Sequence, residues 1–256
     1  MREITLLSDE RLDKVNEQIT LIQKKDGLTF GTDAFLLAAF ITPQKRSRAA
    51  ELGSGTGIIS LLCAARDKFS HITAFEIQKD FYDITKRNVS YNGLGDRILA
   101  VNTDIREISA QSNGGELDVV FSNPPYMSMT SGKRNESDRK YIARHEVCGD
   151  INDFCSSAYR LLKHGGRFYC VWRPDRLSSL MSALKDNRLE PKVMIFVHAD
   201  TKTEPSMVLV SATKGGAEGM RILPPLFLHE ARKENGGARE LTERAKKIYD
   251  TMSFGE

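Results

Sequence analysis

Asn123-Pro124-Pro125-Tyr126 is the stretch of this 256-residue chain most suited to chemistry. The run Leu117 to Phe121 reads as a strand that stops at Asn123, because two prolines cannot continue a ladder. The prolines stiffen the backbone, so the Asn123 amide and the Pro124 carbonyl have defined directions. Two oxygens held in this way suit one task. A nitrogen conjugated to a π system is a poor nucleophile, and acceptors aimed at its hydrogens draw it toward tetrahedral geometry. They also stabilise the positive charge that grows as it attacks an electrophile. Tyr126 offers a π face on which a flat acceptor can stack, worth roughly 1–3 kcal/mol. No histidine or lysine base is required, since the proton can leave afterwards. Asn123, Pro124 and Tyr126 are therefore expected to be catalytic, with Pro125 against the substrate.

A second constellation lies upstream, at Glu51-Leu52-Gly53-Ser54-Gly55-Thr56-Gly57, after one strand and before a helix. Glycines at alternate positions let the backbone bend sharply and approach a ligand, and the helix start behind them offers free N–H groups. The spacing departs from the dinucleotide fingerprint G-x-G-x-x-G, whose third glycine would stand at Ile58, so a nicotinamide cofactor is disfavoured. Glu51 closes the first strand, where an acid attracts a cationic ligand group. Glu76 closes the next strand, the place from which a carboxylate accepts from ribose hydroxyls. Asp104 follows the third strand and can reach an adenine amino group. Gly53, Ser54, Gly55, Gly57, Ile77, Ile105 and Asn123 complete the expected binding set, for a ligand with a ribose, an adenine and a cationic tail.

Positioning these residues requires alternating strands and helices. Strands are expected at Ala49–Leu52, Ile72–Phe75, Ile98–Val101, Leu117–Phe121 and Phe168–Val171. Helices are expected at Thr56–Asp67, Gln78–Tyr91, Ile151–Leu162 and Leu177–Lys185. Such βα units imply a parallel sheet covered on both faces. Lys192–His198 and Met207–Ala212 lie too close for a parallel crossover and should form an antiparallel hairpin. Ahead of the core, Ile19–Phe30 reads as two short strands turning at Asp26-Gly27, and Asp33–Ile41 as a buried helix stopped by Pro43. A helix is expected at Glu240–Asp250. The division is an N-terminal extension over residues 1–48, a core over 49–213 and a charged C-terminal tail over 214–256.

Composition bounds the rest. The longest apolar run, Ala34–Ile41, has eight residues, too few to span a bilayer, and charges at Arg2, Glu3, Asp9 and Glu10 stand where a signal peptide needs an apolar stretch. A cytoplasmic protein is expected. Thirty-seven basic against 34 acidic residues leave a net charge of +3, too weak for binding nucleic acid by bulk charge. Cys63, Cys148, Cys155 and Cys170 have no metal-site spacing, and no metal is expected; Cys63 and Cys170 read as small core residues.

The glycine loop and the acids at successive strand ends resemble those of class I S-adenosylmethionine-dependent methyltransferases. That resemblance implies a Rossmann-like, mostly parallel seven-stranded α/β sheet ending in an antiparallel hairpin, with S-adenosyl-L-methionine as cofactor. Asn123 to Tyr126 resembles the motif of enzymes acting on adenine N6, guanine N2 or the glutamine side-chain amide. With Gly31-Thr32-Asp33-Ala34-Phe35-Leu36-Leu37-Ala38 and Ala143-Arg144-His145-Glu146, roughly Leu12 to Pro225 is similar to the bacterial tRNA adenine-N6 methyltransferases that modify adenine 37 of valine tRNA. In such enzymes the first block lies over the methionine end of the cofactor, so Thr32 and Asp33 join the expected cofactor neighbours.

The acceptor implied is tRNA, with a monomer favoured. Lys133, Arg134, Arg139, Lys140 and Arg144 then form a local basic loop that contacts phosphates. Lys133, Arg134, Arg144 and His145 are the expected substrate contacts. Lys45, Arg46 and Arg48 are a second candidate patch, while Arg244, Lys246 and Lys247 alternate with acids as a solvated helix face. Glutamine methyltransferases of release factors resemble longer chains with a helical domain ahead of the glycine loop. Ribosomal guanine-N2 enzymes tend to carry a duplicated N-terminal domain. About 50 residues precede Gly53 here, which favours the tRNA enzymes. A cofactor-binding scaffold without catalysis is a further alternative that the intact tetrapeptide speaks against.

Overall fold

The structure is a computed structural model that describes residues 5–26, 30–125, 149–231 and 239–255. Its strands are β1 (Glu10–Lys14), β2 (Thr20–Lys24), β3 (Arg48–Leu52), β4 (His71–Glu76), β5 (Ile98–Asn102), β6 (Leu117–Ser122), β7 (Leu162–Trp172), β8 (Leu189–His198), β9 (Pro205–Lys214) and the two-residue β10 (Arg221–Ile222) and β11 (Leu226–Phe227). Its helices are α1 (Thr32–Phe40), α2 (Ile58–Ala65), α3 (Lys79–Tyr91), α4 (Ile151–Leu161), α5 (Leu177–Asp186) and α6 (Glu243–Thr251).

The main sheet runs β8-β9-β7-β6-β3-β4-β5, with β10 and β11 both pairing to β8. From β7 to β5 neighbours are parallel, while β9 is antiparallel to both β7 and β8. The expected hairpin is therefore present, and the two short strands extend the sheet beyond the seven expected. Successive residues of the central strands feed opposite cores. Ala49, Val119, Phe121, Tyr169 and Val171 join one with α1 and α2, and Ala50, Leu52, Val120, Phe168 and Cys170 join the other with α4 and α5. A sheet buried on both faces needs apolar residues at consecutive positions, which these strands supply. Cys63 and Cys170 are core residues, 0% and 1% exposed.

Gly27 of the turn expected at Asp26-Gly27 lies outside the described residues. The described N-terminal hairpin pairs β1 with β2 and is connected through residues 15–19. Asn16 explains the turn: its side-chain oxygen accepts from the backbone N–H of Gln18 and Ile19, a local alternative to ladder pairing that favours asparagine. The hairpin is tied to α3 by two asparagines. Asn88 accepts from Ile22 N–H at 2.7 Å and donates to the Thr56 carbonyl at 2.9 Å, and Asn92 exchanges bonds with the Thr20 backbone. Asn88 thus joins the N-terminal segment to the glycine loop.

The helix α1 is apolar all round, Ala34 through Phe40 being buried, as expected of a helix packed on several sides. Its C-terminal carbonyls are capped by Lys68, 2% exposed, whose Nζ donates to Ala38 and Ile41 at 2.7 and 2.6 Å. Burial depresses the ammonium's pKa, yet the carbonyls at a helix end provide the negative partner it needs. Lys68→Met keeps the stem and strands these acceptors in the core. It should cost about 3 kcal/mol and lower the thermal midpoint by roughly 10 °C, measured by calorimetry. On the other side of α1, Tyr249 of α6 stacks on Phe35 with centroids 4.4 Å apart. The C-terminal segment thus packs on α1, with Ala245, Ile248 and Met252 buried.

Candidate active site

Strand register sets the site. Leu52 of β3 pairs with Ser122 of β6 on one side and Phe75 of β4 on the other. Gly53, Asn123 and Glu76 therefore leave three adjacent strands at one level of the carboxyl edge. The Ser122 hydroxyl donates to the Leu52 carbonyl at 2.7 Å and locks that level.

The glycine loop turns through positive φ at Gly53 (+69°), Gly55 (+55°) and Gly57 (+80°). At Gly57 a side chain is also excluded by contact, since a Cβ would lie 2.8 Å from Thr85 Cγ2. At Gly55 a Cβ would meet nothing within 4 Å, so its φ is the requirement there. The loop is held from outside by Thr85, which donates to the Gly55 carbonyl at 2.7 Å. From inside, Glu76 accepts from Gly55 N–H and from Gln78 N–H, both at 2.8 Å. Glu76 is 4% exposed, and burial raises its pKa against the pull of those N–H donors. Ser54 is 4% exposed, and its buried hydroxyl has no hydrogen-bond partner among the described residues. Buried hydroxyls are normally satisfied, so this one fits a ligand lying in the loop.

Glu51 is more deeply placed than its expected role suggests. It is 1% exposed and accepts from both the backbone N–H (3.0 Å) and the hydroxyl of Ser60 on α2. Burial pushes its pKa up to about 8, opposed by the Ser60 bonds. The folded pKa lies above the ordinary value of 4.5, so folding favours the protonated form. The contribution of Glu51 to stability is fully present below pH 4.5 and is lost as pH rises through about 8. Between about pH 5 and 8 the unfolding free energy of the wild type should fall relative to Glu51→Gln, by up to about 1.4 kcal/mol per pH unit. Urea titrations at several pH values check this; equal slopes for the two proteins would contradict it.

Asp104 sits where expected, after β5, half-buried at the start of the short 3₁₀ turn Ile105–Glu107. Its carboxylate accepts from the backbone N–H of Arg106 at 2.8 Å and from the Arg106 guanidinium, which lowers its pKa. Ile77 and Ile105 follow β4 and β5 closely, half-buried and buried respectively.

At the tip, Pro124 is buried and Pro125 half-buried. The Asn123 amide nitrogen donates to Asp33 Oδ2 at 2.8 Å. This contact, across 90 residues, was not legible in the sequence, nor was the Ser60 bond to Glu51. Tyr126, Lys133, Arg134, Arg144 and His145 lie outside the described residues. The patch at Lys45, Arg46 and Arg48 falls at the amino end of β3, opposite the site, with Arg48 donating to the Asn113 and Gly114 carbonyls. As a second nucleic-acid contact it is therefore remote from the reacting edge. No group of His, Cys, Asp and Glu able to hold a metal ion occurs among the described residues. No helix among them is long and apolar enough to cross a membrane.

A cleft of about 260 Å³ opens beside the tip, lined by Thr32, Asp33, Trp172, Arg173, Ser206 and Met207. Trp172 ends β7, and Ser206-Met207 begin the antiparallel β9, so all reach the same sheet edge. Their signal in the sequence was position at a strand end, the reasoning that singled out Glu76. Along the edge the order is Glu76, glycine loop, Asn123, cleft.

The chain matches the model of the methyltransferase small domain over residues 24–186. It is 30% identical to the tRNA1(Val) (adenine(37)-N6)-methyltransferase of Phocaeicola vulgatus over 76% of this chain and 81% of that one. Against the protein of the same name from Dyadobacter fermentans, identity is 26% over 84% and 88% of the two chains. Among solved structures, a predicted O-methyltransferase from Agrobacterium tumefaciens superposes with a TM-score of 0.69 at 21% identity, covering 87% of this chain and 97% of that one. M. jannaschii TYW2, in complex with AdoMet, superposes at 0.54 with 13% identity over 82% and 88%. A match across most of the sheet, with the glycine loop and the Asn-Pro-Pro tip side by side at its edge, leads to one conclusion: this chain belongs to the methyltransferase small domain family, in the group of the bacterial tRNA1(Val) (adenine(37)-N6)-methyltransferases.

Proposed function

We propose that the chain transfers a methyl group from S-adenosyl-L-methionine to the exocyclic N6 of an adenine in tRNA, at position 37 of valine tRNA as in its named relatives. The observation that carries this reading is the Leu52–Ser122 register, which sets the glycine loop and Asn123 level on adjacent strands. When bound, the cofactor supplies an electrophilic methyl on a sulfonium, whose carbon–sulfur bond breaks as the carbon–nitrogen bond forms.

The chain's residues do the rest. Glu76 retains acceptor capacity beyond its two backbone bonds and takes the ribose hydroxyls, and Ser54 finds its missing partner in the same ligand. Asp104 lines the adenine side through the turn it caps. A cationic group arriving beside Glu51 favours the ionised carboxylate, so cofactor binding near neutral pH releases a proton. Asn123 Oδ1 and the Pro124 carbonyl accept from the acceptor amine, Tyr126 stacks on its ring, and the amine proton leaves to solvent after transfer. The base enters from the cleft side, having swung out of its loop, and Lys133, Arg134, Arg144 and His145 contact the RNA. The extension, core and tail act as one catalytic unit in this reading.

The test is mass mapping of nucleosides in tRNA treated with the purified protein and labelled cofactor, with release factor as a competing acceptor. N6-methyladenosine at the anticodon loop supports the assignment. Label in guanosine or in protein replaces it.

A further inference from the structure

Asp33 stands beside the tip, on the cleft side of Asn123, and belongs to neither the tetrapeptide nor the glycine loop. Its Oδ1 accepts from the backbone N–H of Ala34 at 2.9 Å within the first turn of α1, and its Oδ2 accepts from Asn123 Nδ2 at 2.8 Å. It also lines the cleft. We propose that Asp33 is a positioning residue that sets the polarity of the Asn123 amide.

An asparagine side chain has an accepting side and a donating side, interchanged by a half-turn of its terminal torsion. Only the orientation that presents oxygen to an amine is productive, since nitrogen would set donors against donors. A carboxylate ion accepts and cannot donate. Facing Asp33, the amide must therefore turn its nitrogen toward residue 33 and its oxygen to the opposite side. The charge adds a second effect: an N–H bonded to a carboxylate polarises the amide and increases the negative charge on its oxygen. That oxygen then stabilises more of the positive charge developing on the attacked amine.

The scaffold around Asp33 is built to hold it. It sits on the first turn of a helix whose other end is pinned by buried Lys68 and whose side is braced by Tyr249. The assignment rests on Asn123 facing the acceptor, as proposed above, and it moves Asp33 from cofactor neighbour to partner of the tip.

The test compares Asp33→Leu, Asn123→Asp and the exchange D33N/N123D in the full chain. Single-turnover methylation of tRNA is measured at saturating cofactor, and cofactor affinity by calorimetry. Asp33→Leu should lower the transfer rate about 10- to 100-fold, the value of one hydrogen bond to a charged group. Cofactor Kd and tRNA KM should each stay within about twofold by the same reasoning, because the lost bond belongs to neither. Asn123→Asp alone sets two carboxylates face to face and should be poorly active. In the exchanged pair the amide at position 33 donates to the carboxylate at position 123. That carboxylate still offers an oxygen to the amine, so the rate should recover well above that of Asn123→Asp.

A parallel loss of cofactor affinity in Asp33→Leu, or no recovery in the exchanged pair, overturns the proposal. A readout independent of the acceptor is the Asn123 side-chain amide resonance in ¹⁵N-labelled protein, identified by its loss in Asn123→Asp. It should shift in Asp33→Leu, and an unmoved resonance refutes the bond whatever RNA is methylated. If wild-type protein labels no tRNA, the tRNA reading fails while the resonance still decides the role of Asp33.

Discussion

Asn123→Ala should remove nearly all methyl transfer, a fall in kcat of about 100- to 1,000-fold, while cofactor Kd changes by less than about threefold. On the proposed reading, the amide accepts more strongly from the acceptor nitrogen as that nitrogen becomes tetrahedral and positive, so its contribution is larger in the transition state than in the bound complex. Alanine preserves the strand end, because Ser122 still donates to the Leu52 carbonyl and Pro124 still closes the tip. It does strand Asp33 Oδ2, which loses its donor. Asp33 is half-buried, so water can replace that bond at modest cost and the fold should persist. Rapid-quench assays with calorimetric cofactor titration separate the two quantities. Equal loss in both would mean that Asn123 holds cofactor rather than activates the acceptor.

Glu76→Ala should produce the complementary result, with cofactor Kd raised about 100-fold or more and a smaller effect on the rate at saturation. Glu76 makes charge-assisted bonds to Gly55 N–H and Gln78 N–H at 2.8 Å while buried. Hydrogen bonds to a charged group contribute about 1.5–3 kcal/mol each, and a bound ribose would add two. Removing the carboxylate releases the inner side of the glycine loop, leaving Thr85 to hold it from outside. Glu76→Gln is the informative companion. It keeps one acceptor oxygen but adds two donors facing backbone N–H groups, so it should recover little. Calorimetric Kd values for the three proteins decide this; a change below about threefold in Glu76→Ala would remove the residue from the cofactor site.

Both predictions rest on residues found by position at a strand end. Their placement at one edge was legible because parallel strands all end there, and a glycine loop or an Asn-Pro-Pro stop marks where each strand leaves the ladder. Apolar runs at consecutive positions likewise marked the central strands, since both faces of that sheet are covered. The short spacing between Lys192–His198 and Met207–Ala212 was enough for an antiparallel pair. The β1–β2 pairing was not legible for a reason that is equally physical. Asp26-Gly27 is a strong local turn signal, but β1 carries charges at Glu10, Arg11, Asp13 and Lys14 and has little apolar alternation to reveal it. Its register follows from Asn16 and from two asparagines far away in sequence, Asn88 on α3 and Asn92 at the C-cap of that helix.

From the sequence alone came the class of sheet, the glycine loop, the strand-end acids Glu51, Glu76 and Asp104, and the Asn-Pro-Pro tip. Each is a local pattern, set by backbone permissiveness or by where a strand must stop. Tertiary structure alone decided how these groups are held. It buried Glu51 against Ser60 and raised its pKa, left the Ser54 hydroxyl in need of a partner, and placed Trp172, Arg173, Ser206 and Met207 beside the tip. It also brought Asp33 within 2.8 Å of Asn123. Desolvation and long-range hydrogen bonds depend on what packs against a residue, and no local spacing records that.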